Sequence, residues 1–410
     1  MIARLALLWT IAAVILTAQA RQEDVVRLSR IRQAIRAHLD GMPNFTCLQT
    51  VERYQLAPKA KHEELIDVLR LEVAYVSNKE MYAWPGSHHF EDRDLREIVS
   101  TGAFSTGGFA LHARSIFLGS NTTFTYVGEE TIDNKPAWRY DYTTPQFRSD
   151  YNINNPVKGV SAAVPYHGSI WADRRDSNLL RISIQTGEIP AEIEIESASD
   201  QLDYQPMKIG SIDALLPRQN IIYILDNRGN TSINRTRLSR CKQYSGESTI
   251  SFDDISESAT VERKVERAIV LPPNLEVSLA LTEDLIHGES AVGDAIQATL
   301  RNDLRVNKEL IAPKGSIARG RIVRFEHSNV THSVYNITLL FEELRGGDWV
   351  APLKLRYLRQ YPPSFPPADP NRRFNLNRMV SVPNTDPNGF LIFSTQPKLP
   401  HNFLTIWQTQ

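Results

Sequence analysis

The apolar positions along the chain predict one helix followed by a long series of strands. Between residues 23 and 41, apolar side chains recur at steps of three and four, at Val25, Leu28, Ile31, Ile35 and Leu39. The pair Asp40-Gly41 is a typical helix end. From Phe45 onward apolar and polar side chains alternate, which is the period of a strand with one buried face. We therefore expect an N-terminal helix that packs on a sheet.

The strand pattern is interrupted between residues 91 and 118 and then resumes. The interval contains two short helical patterns with an apolar face. That face carries Phe104, Phe109 and Phe117. From residue 124 to about 252, alternating segments are joined by short polar turns, as in an antiparallel meander. Along one of these strands three aromatic side chains share a face, namely Trp138, Tyr140 and Tyr142.

The second half of the chain predicts a separate β unit. Residues 253–272 are charged and weakly apolar and run into a pair of prolines, so we predict a linker there. Short alternating segments separated by glycine-containing turns follow in residues 273–360 and predict further strands. Residues 361–410 mix proline, asparagine and aromatic residues, and we expect them to form an extended tail.

The first twenty residues have the pattern of a secretory signal. Arg4 precedes an apolar stretch over residues 5–16, and Ala18-Gln19-Ala20 is a typical cleavage site. The alternative is an uncleaved N-terminal anchor. No other segment reaches 18 apolar residues, so we expect no stable membrane span after cleavage near Ala20. This pattern predicts a periplasmic or secreted protein.

Composition and charge exclude several classes of function. The chain has 410 residues, of which 41% are hydrophobic, and its 46 basic residues balance 47 acidic ones. A near-neutral chain without a basic block lacks the charge that general binding to nucleic acid requires. The two cysteines, Cys47 and Cys241, lie too far apart in sequence for a metal-ligand motif. In an oxidising compartment they predict a disulfide, and the alternative is two free buried thiols.

The candidate catalytic motifs are weak. His167-Gly168-Ser169 lacks the glycines of a nucleophile elbow, and Pro313-Lys314-Gly315-Ser316 lacks the order of a phosphate loop. His88-His89 has no second histidine pair at a ligating interval. We therefore predict no catalytic residue, no metal and no cofactor.

Residues 23–252 resemble the periplasmic lipoprotein-carrier fold, the LolA-like half-barrel. The resemblance rests on the order of the elements and on three phrases, namely Ser169-Ile170-Trp171-Ala172-Asp173, Leu179-Leu180-Arg181-Ile182 and Pro136-Ala137-Trp138-Arg139-Tyr140. The chain is also similar to a set of exported bacterial proteins that share the phrases at residues 43–47 and 244–248. The resemblance implies a half-barrel over residues 21–252 whose helices form a lid above a concave face that holds acyl chains.

The same resemblance implies a set of ligand-binding residues. The lid would carry Phe104, Phe109 and Phe117, and the floor would carry Trp138, Tyr140, Tyr142 and Trp171. Carriers of this fold use an arginine to hold the lid shut, for which Arg114 and Arg139 are candidates. The residues alone also allow an alternative interpretation, in which the aromatic face is a packed core.

Residues 275–358 look like the small β-barrel of the outer-ring protein of conjugation and type IV secretion machines. The phrases that carry this resemblance are Ala291-Val292-Gly293-Asp294 and Leu310-Ile311-Ala312-Pro313-Lys314-Gly315-Ser316. It implies a small β-barrel over residues 273–360.

Together these patterns predict a mainly β protein, with an antiparallel half-barrel that carries N-terminal and lid helices, a small β-barrel and an extended tail. We expect an exported, non-enzymatic envelope protein that binds a lipid or a lipidated partner, with a further envelope partner bound through residues 273–410. The alternative is an envelope scaffold that binds no small molecule, in which the tail adds a strand to a partner.

Overall fold

A computed structural model describes the protein over eleven stretches of the chain. These are residues 22–77, 79–87, 90, 95, 111–119, 122–155, 158–244, 267–329, 333–360, 380–394 and 398–410. The predicted signal sequence, Phe104, Phe109, the pair His88-His89 and most of the predicted linker lie outside the described residues.

The first unit is one antiparallel sheet with helices on one face. Helix α1 covers residues 22–40, in agreement with the predicted helix, and α2 is Leu111–Leu118. The main strands are β1 Phe45–Leu56, β2 Glu64–Val76, β3 Lys79–Ala83, β4 Thr123–Ile132, β5 Lys135–Thr144, β8 Tyr166–Asp173, β9 Leu179–Thr186, β10 Ile195–Ile209, β11 Ile212–Asp226 and β12 Thr231–Gln243. A separate hairpin consists of β6 Asn152–Asn155 and β7 Val160–Ala163.

The strands form a curled half-barrel in the order β3-β2-β1-β12-β11-β10-β9-β8-β5-β4. Its inner face meets α1 through Ile31 and Ile35 and α2 through Ile116 and Phe117, all of which are buried. Apolar side chains at helical steps therefore cover apolar side chains at strand steps, which is how two layers bury one core. The predicted mainly β half-barrel is confirmed.

A disulfide joins the third and fourth strands of this sheet. Cys47 of β1 is bonded to Cys241 of β12, and the two residues are 194 positions apart. Closing a loop of that length in the unfolded chain stabilises the folded state by roughly 4–5 kcal/mol in the chain-entropy model. Cys47 is buried in the core beneath α1, so the bond lies inside the unit.

The second unit is also antiparallel for the most part. Its strands are β13 Arg267–Ala268, β14 Glu276–Leu281, β15 Leu285–Ile286, β16 Ala295–Leu300, β17 Leu304–Val306, β18 Glu309–Ala312, β19 Ile317–Ser328, β20 Val334–Arg345, β21 Trp349–Pro352, β22 Leu355–Gln360, β23 Val380–Pro383, β24 Gly389–Phe393, β25 Lys398–Leu399 and β26 Leu404–Thr409. The main order is β13-β21-β20-β19-β16-β14-β26-β22, and β24 pairs with both β20 and β23.

The end of the chain belongs to this second sheet. Strand β26 lies between β14 and β22, and Trp407 and Phe390 are completely buried. The prediction of an extended tail over residues 361–410 is therefore corrected for residues 380–394 and 398–410. The tail was predicted from the prolines at the start of the segment. The apolar side chains at its end pack against strands that are distant in sequence, so their burial could not be predicted from the segment itself.

A short joint connects the two units. Because β3 is shorter than β2, it leaves part of the β2 edge unpaired, and Val292 of the second unit bonds there. The amide of Arg70 donates to the Val292 carbonyl at 2.8 Å, and the amide of Val292 donates to the Val68 carbonyl at 2.7 Å. The Val292 side chain is buried in the core of the first unit.

The turn around Val292 is held from both sides. The guanidinium of Arg70 forms an ion pair with Asp294, and the amide of Gly293 donates to the carbonyl of Ile322 in β19 at 2.8 Å. Gly293 has φ +99°, and a Cβ there would overlap the Arg70 carbonyl oxygen and the ring of Trp84. The Ala291-Val292-Gly293-Asp294 phrase is thus one contact between the two units, and His287 beside the Ile66 carbonyl and His327 beside Glu64 are others.

We predict that Gly293→Ala opens the joint. The added methyl group meets backbone atoms that cannot move aside and a φ that disfavours any side chain, so the cost is several kcal/mol. The matched control is Gly315→Ala, since Gly315 has φ +92° but no atom within 4 Å of an added Cβ.

Scanning calorimetry and limited proteolysis measure the effect. Gly293→Ala is expected to separate the unfolding of the two units and to expose β2 to protease, whereas Gly315→Ala only shifts the transition by a few degrees. The same unfolding transitions and the same protease sensitivity in both variants would contradict the role of the Val292 turn in joining the two units.

Candidate functional site

The inner face of the half-barrel carries a row of aromatic side chains near α2. Phe117 of α2 stacks on Phe124 of β4 at 5.6 Å between ring centroids, and Phe124 lies 6.1 Å from Tyr142 of β5. Tyr126 of β4 lies 5.2 Å from Tyr140 of β5. Three predicted site residues, Phe117, Tyr140 and Tyr142, are therefore brought together and buried. In this conformation the helices pack against the aromatic row.

Helix α1 covers the edge of the same row with two cations. The guanidinium of Arg27 lies 4.3 Å from the ring centre of Tyr126 and 5.4 Å from that of Trp138, and Arg32 lies 5.1 Å from Phe124. Cation–π contacts of this kind contribute about 0.5–1 kcal/mol at partly exposed sites. Trp138, the fourth predicted residue on this face, is partly buried at its rim.

Trp171 lies on the opposite face of the sheet, and its predicted place on the floor is corrected. The register of β5 and β8 pairs Trp171 with Arg139, whereas Tyr140 pairs with Ile170. Because side chains alternate between faces, Trp171 and Arg139 point away from the helices, where they form a cation–π contact. The Trp171 indole donates to Glu130 at 2.7 Å. Arg139 is therefore excluded as the arginine that holds the lid.

The outer face also forms a groove of about 580 Å³. Its lining includes Arg139, Asp141, His167, Ser169, Gln185 and Tyr223. The Ser169 hydroxyl donates to Asp141 at 2.6 Å. This groove lies on the face of the sheet that the helices leave uncovered.

Helix α2 is attached to the rest of the unit by a few polar side chains. The Ser115 hydroxyl donates to Asp150 at 2.6 Å and lies 2.9 Å from the Tyr166 hydroxyl. The ring of His112 stacks on Tyr151 at 5.6 Å. These contacts, together with Phe117, are all made by side chains, so α2 can be displaced without breaking a ladder of strand hydrogen bonds.

Asp200 is the most unusual residue of the inner face. It lies on β10 between Ala198 and Leu202, in the register of core residues, and its side chain is completely inaccessible. Neither carboxyl oxygen has a hydrogen-bond partner of normal geometry, and His112 Nε2 of α2 lies 3.5 Å away. Burial raises the pKa of Asp200 to about 8, which the backbone N–H of Gln201 opposes only in part. Burial likewise lowers the pKa of His112 to about 4, although Asp150 opposes the shift.

Polar residues continue across the sheet from Asp200. The strand registers place Asp200, Ile222, Asn234, Arg53 and Asp67 in one row across β10, β11, β12, β1 and β2. At the far end, Arg53 binds the Asp67 carboxylate through two nitrogens, one of them at 2.6 Å, and both side chains are buried. In the adjacent row the Asn220 Oδ1 atom is buried without a partner, as is the Tyr204 hydroxyl on β10.

Neither Asp200 nor His112 was predicted from the sequence. A signal for Asp200 was available, because an acid in the apolar register of a strand is more informative than an exposed apolar residue. For His112 no such signal exists, since its position above Asp200 depends on how α2 lies on the sheet.

No helix in the described ranges is long and apolar enough to cross a membrane. No protein-family model matches this chain, and neither does any curated protein. Solved structures do match, at 11–13% identity. A DUF1329 family protein from Desulfovibrio piger covers 55% of this chain and 96% of its own, at TM-score 0.28. A LolA superfamily protein from Nitrosomonas europaea covers 52% and 93%, at TM-score 0.23.

A further match spans nearly the whole chain. The MucA/MucB complex structure from Pseudomonas aeruginosa covers 93% of this chain and 92% of its own, at 12% identity and TM-score 0.18. The LolA-like resemblance predicted for residues 23–252 agrees with the first group of matches. The resemblance predicted for residues 275–358 to an outer-ring barrel finds no support among them.

The buried acid predicts a pH dependence of stability. Between about pH 4 and 8 the folded Asp200 holds a proton that the unfolded residue releases, so stability falls as pH rises. Between about pH 4 and 6.5 the unfolded His112 holds a proton that the folded residue lacks, so stability rises with pH. Below pH 6.5 the contributions of Asp200 and His112 to the free energy of unfolding oppose each other. Above pH 6.5 only the decrease due to Asp200 remains.

We therefore expect the free energy of unfolding to fall by about 1–2 kcal/mol between pH 6.5 and 8, and Asp200→Asn to remove this fall. Urea unfolding followed by circular dichroism at four pH values measures it. Asp203→Asn is the control, since Asp203 lies on the same strand and binds Arg181. The same slope in wild type and Asp200→Asn would contradict the assignment.

Proposed function

We propose that the first unit binds a hydrophobic or amphiphilic molecule, such as a lipid or a lipidated partner, between its curved sheet and its helices. The observation that carries this proposal is the aromatic inner face, which α2 covers through side chains alone. An exported role is supported by the signal-like N-terminus and by the disulfide between Cys47 and Cys241.

The energetics of exchange favour an acyl chain as the occupant. Exposing Ile116 and Phe117 by moving α2 would cost about 1.5–3 kcal/mol for each side chain. A chain of twelve carbons that replaced them would gain on the order of 9 kcal/mol, at about 0.8 kcal/mol per buried CH₂ group. A ligand of this length can therefore displace the helix without any specific polar contact.

A first experiment asks whether the protein carries a ligand. The full chain is expressed with its signal sequence, purified without detergent and compared by native and denaturing mass spectrometry. We expect a stoichiometric amphiphile that is lost on denaturation. An empty protein that takes up neither an added fatty acid nor a phospholipid would contradict the proposal and favour the scaffold alternative.

A second experiment tests whether α2 is the lid. The side-chain oxygens of Ser115 and Asp150 are 2.6 Å apart, so Ser115→Cys combined with Asp150→Cys allows a disulfide that fixes α2. We expect the oxidised variant to take up a fluorescent fatty acid at least tenfold more slowly than wild type, because the inner face stays covered.

Mild reduction should restore uptake to within about twofold of the single variant Ser115→Cys, which is the control. The control variant receives the same reductant, so any reduction of the native Cys47–Cys241 bond affects both variants equally. Unchanged uptake by the oxidised double variant would show that the ligand does not enter beneath α2.

A further inference from the structure

The inner face contains a polar group at its centre, between two apolar clusters. Ala198 belongs to a small cluster with Ile153 and Val164, whereas Leu202 belongs to the main core. Asp200 lies between them on the same strand and the same face. Asn220 is its diagonal neighbour on β11, because Asp200 pairs with Ile222 and Leu202 pairs with Asn220. His112 of α2 approaches Asp200 from above.

Within the part of the chain that the structure describes, several polar atoms of this group have no hydrogen-bond partner. They are both carboxyl oxygens of Asp200, Nε2 of His112 and Oδ1 of Asn220, and the Tyr204 hydroxyl further along β10 adds one more. Each buried polar atom without a partner destabilises the folded state, and folded proteins contain only a few per hundred residues. Such atoms gathered in one place are typical of a site that hydrogen-bonds a guest molecule.

The charges around the group select the chemistry of that guest. The nearest cation along the row, Arg53, is already bound to Asp67 through two nitrogens. Above its pKa of about 8 Asp200 is ionised, so its two oxygens and Oδ1 of Asn220 are all acceptors. A carboxylate or phosphate would then meet repulsion there, whereas a hydrogen-bond donor would not.

We propose that Asp200 and Asn220, which His112 covers in this conformation, form a polar subsite for the head group of the bound amphiphile, and that this head group donates hydrogen bonds and bears no negative charge. Hydroxyl and ammonium heads share this chemistry. The inference rests on the proposed function, because it assigns the polar end of a ligand whose chain lies along the aromatic row. Displacement of α2 removes His112 from Asp200, which makes the subsite accessible at the same time as the apolar face.

Three amphiphiles with the same twelve-carbon chain test the subsite, namely monododecanoylglycerol, dodecylamine and dodecanoic acid. Their affinities for the full-length protein are measured by displacement of a fluorescent fatty acid, at pH 9, where Asp200 is ionised, and below the concentrations at which micelles form. We expect monododecanoylglycerol and dodecylamine each to bind at least tenfold more tightly than dodecanoate.

Asp200→Leu is expected to reduce this preference to less than threefold while dodecanoate still binds. Asp200→Asn, which keeps the shape of the side chain, serves if the leucine variant fails to fold, and is expected to weaken dodecylamine binding at least fivefold. Asp203→Asn is the matched control, because Asp203 lies on the outer face of the same strand and should leave the preference unchanged.

The outcomes separate the two proposals. If all three amphiphiles bind with equal affinity, or dodecanoate binds most tightly, the subsite is overturned and the carrier function stands. A preference that survives in Asp200→Leu would also overturn the subsite. If none of the three binds, the proposed function itself fails.

Discussion

The pairing of β1 with β12 is the interaction on which the first unit depends. It brings together residues at opposite ends of the unit, such as Phe45 and Gln243, and the Cys47–Cys241 bond fixes it. Without this pair, strands β1, β2 and β3 would be joined to the meander by the chain connection alone. The curved sheet would then be divided between β1 and β12. Closing so long a loop costs entropy before any distant contact repays it, and a covalent bond offsets that cost in the unfolded state.

The same pairing creates the contrast between the two buried acids of the inner face. The row that runs from Asp67 to Asp200 exists only because β1 and β12 are neighbours. Asp67 meets a guanidinium that binds it through two nitrogens, so its burial is compensated. Asp200 meets a neutral imidazole at 3.5 Å and is uncompensated. The unpaired Asp200 therefore lowers the stability of the folded state, whereas the paired Asp67 does not. A local loss of stability of this kind is typical of a binding site.

Local patterns in the sequence predicted the helix and the strands of the first unit. Features that depend on contacts between distant segments could not be predicted in this way. The period of α1 and the turn at Asp133-Asn134 are properties of short segments, so the helix and the β4-β5 hairpin were predictable. The face of Trp171 was not, because it depends on the register between β5 and β8, and a shift of one residue moves a side chain to the other face. Strand β26 was missed for a similar reason, since Trp407 becomes a core residue only when β14 and β22 lie beside it.

The joint at Val292 makes the second unit part of the structure of the first. The edge of β2 that β3 leaves free would be an exposed row of backbone donors and acceptors, and unpaired edges of this kind invite association with other chains. Val292 covers that edge and also adds an apolar side chain to the core. Because Arg70 bonds to the turn through its backbone and through its guanidinium, a movement of β2 has to break both contacts or carry the turn with it. The second unit therefore restrains one wall of the half-barrel through backbone hydrogen bonds, whereas α2 is held on the inner face by side-chain contacts.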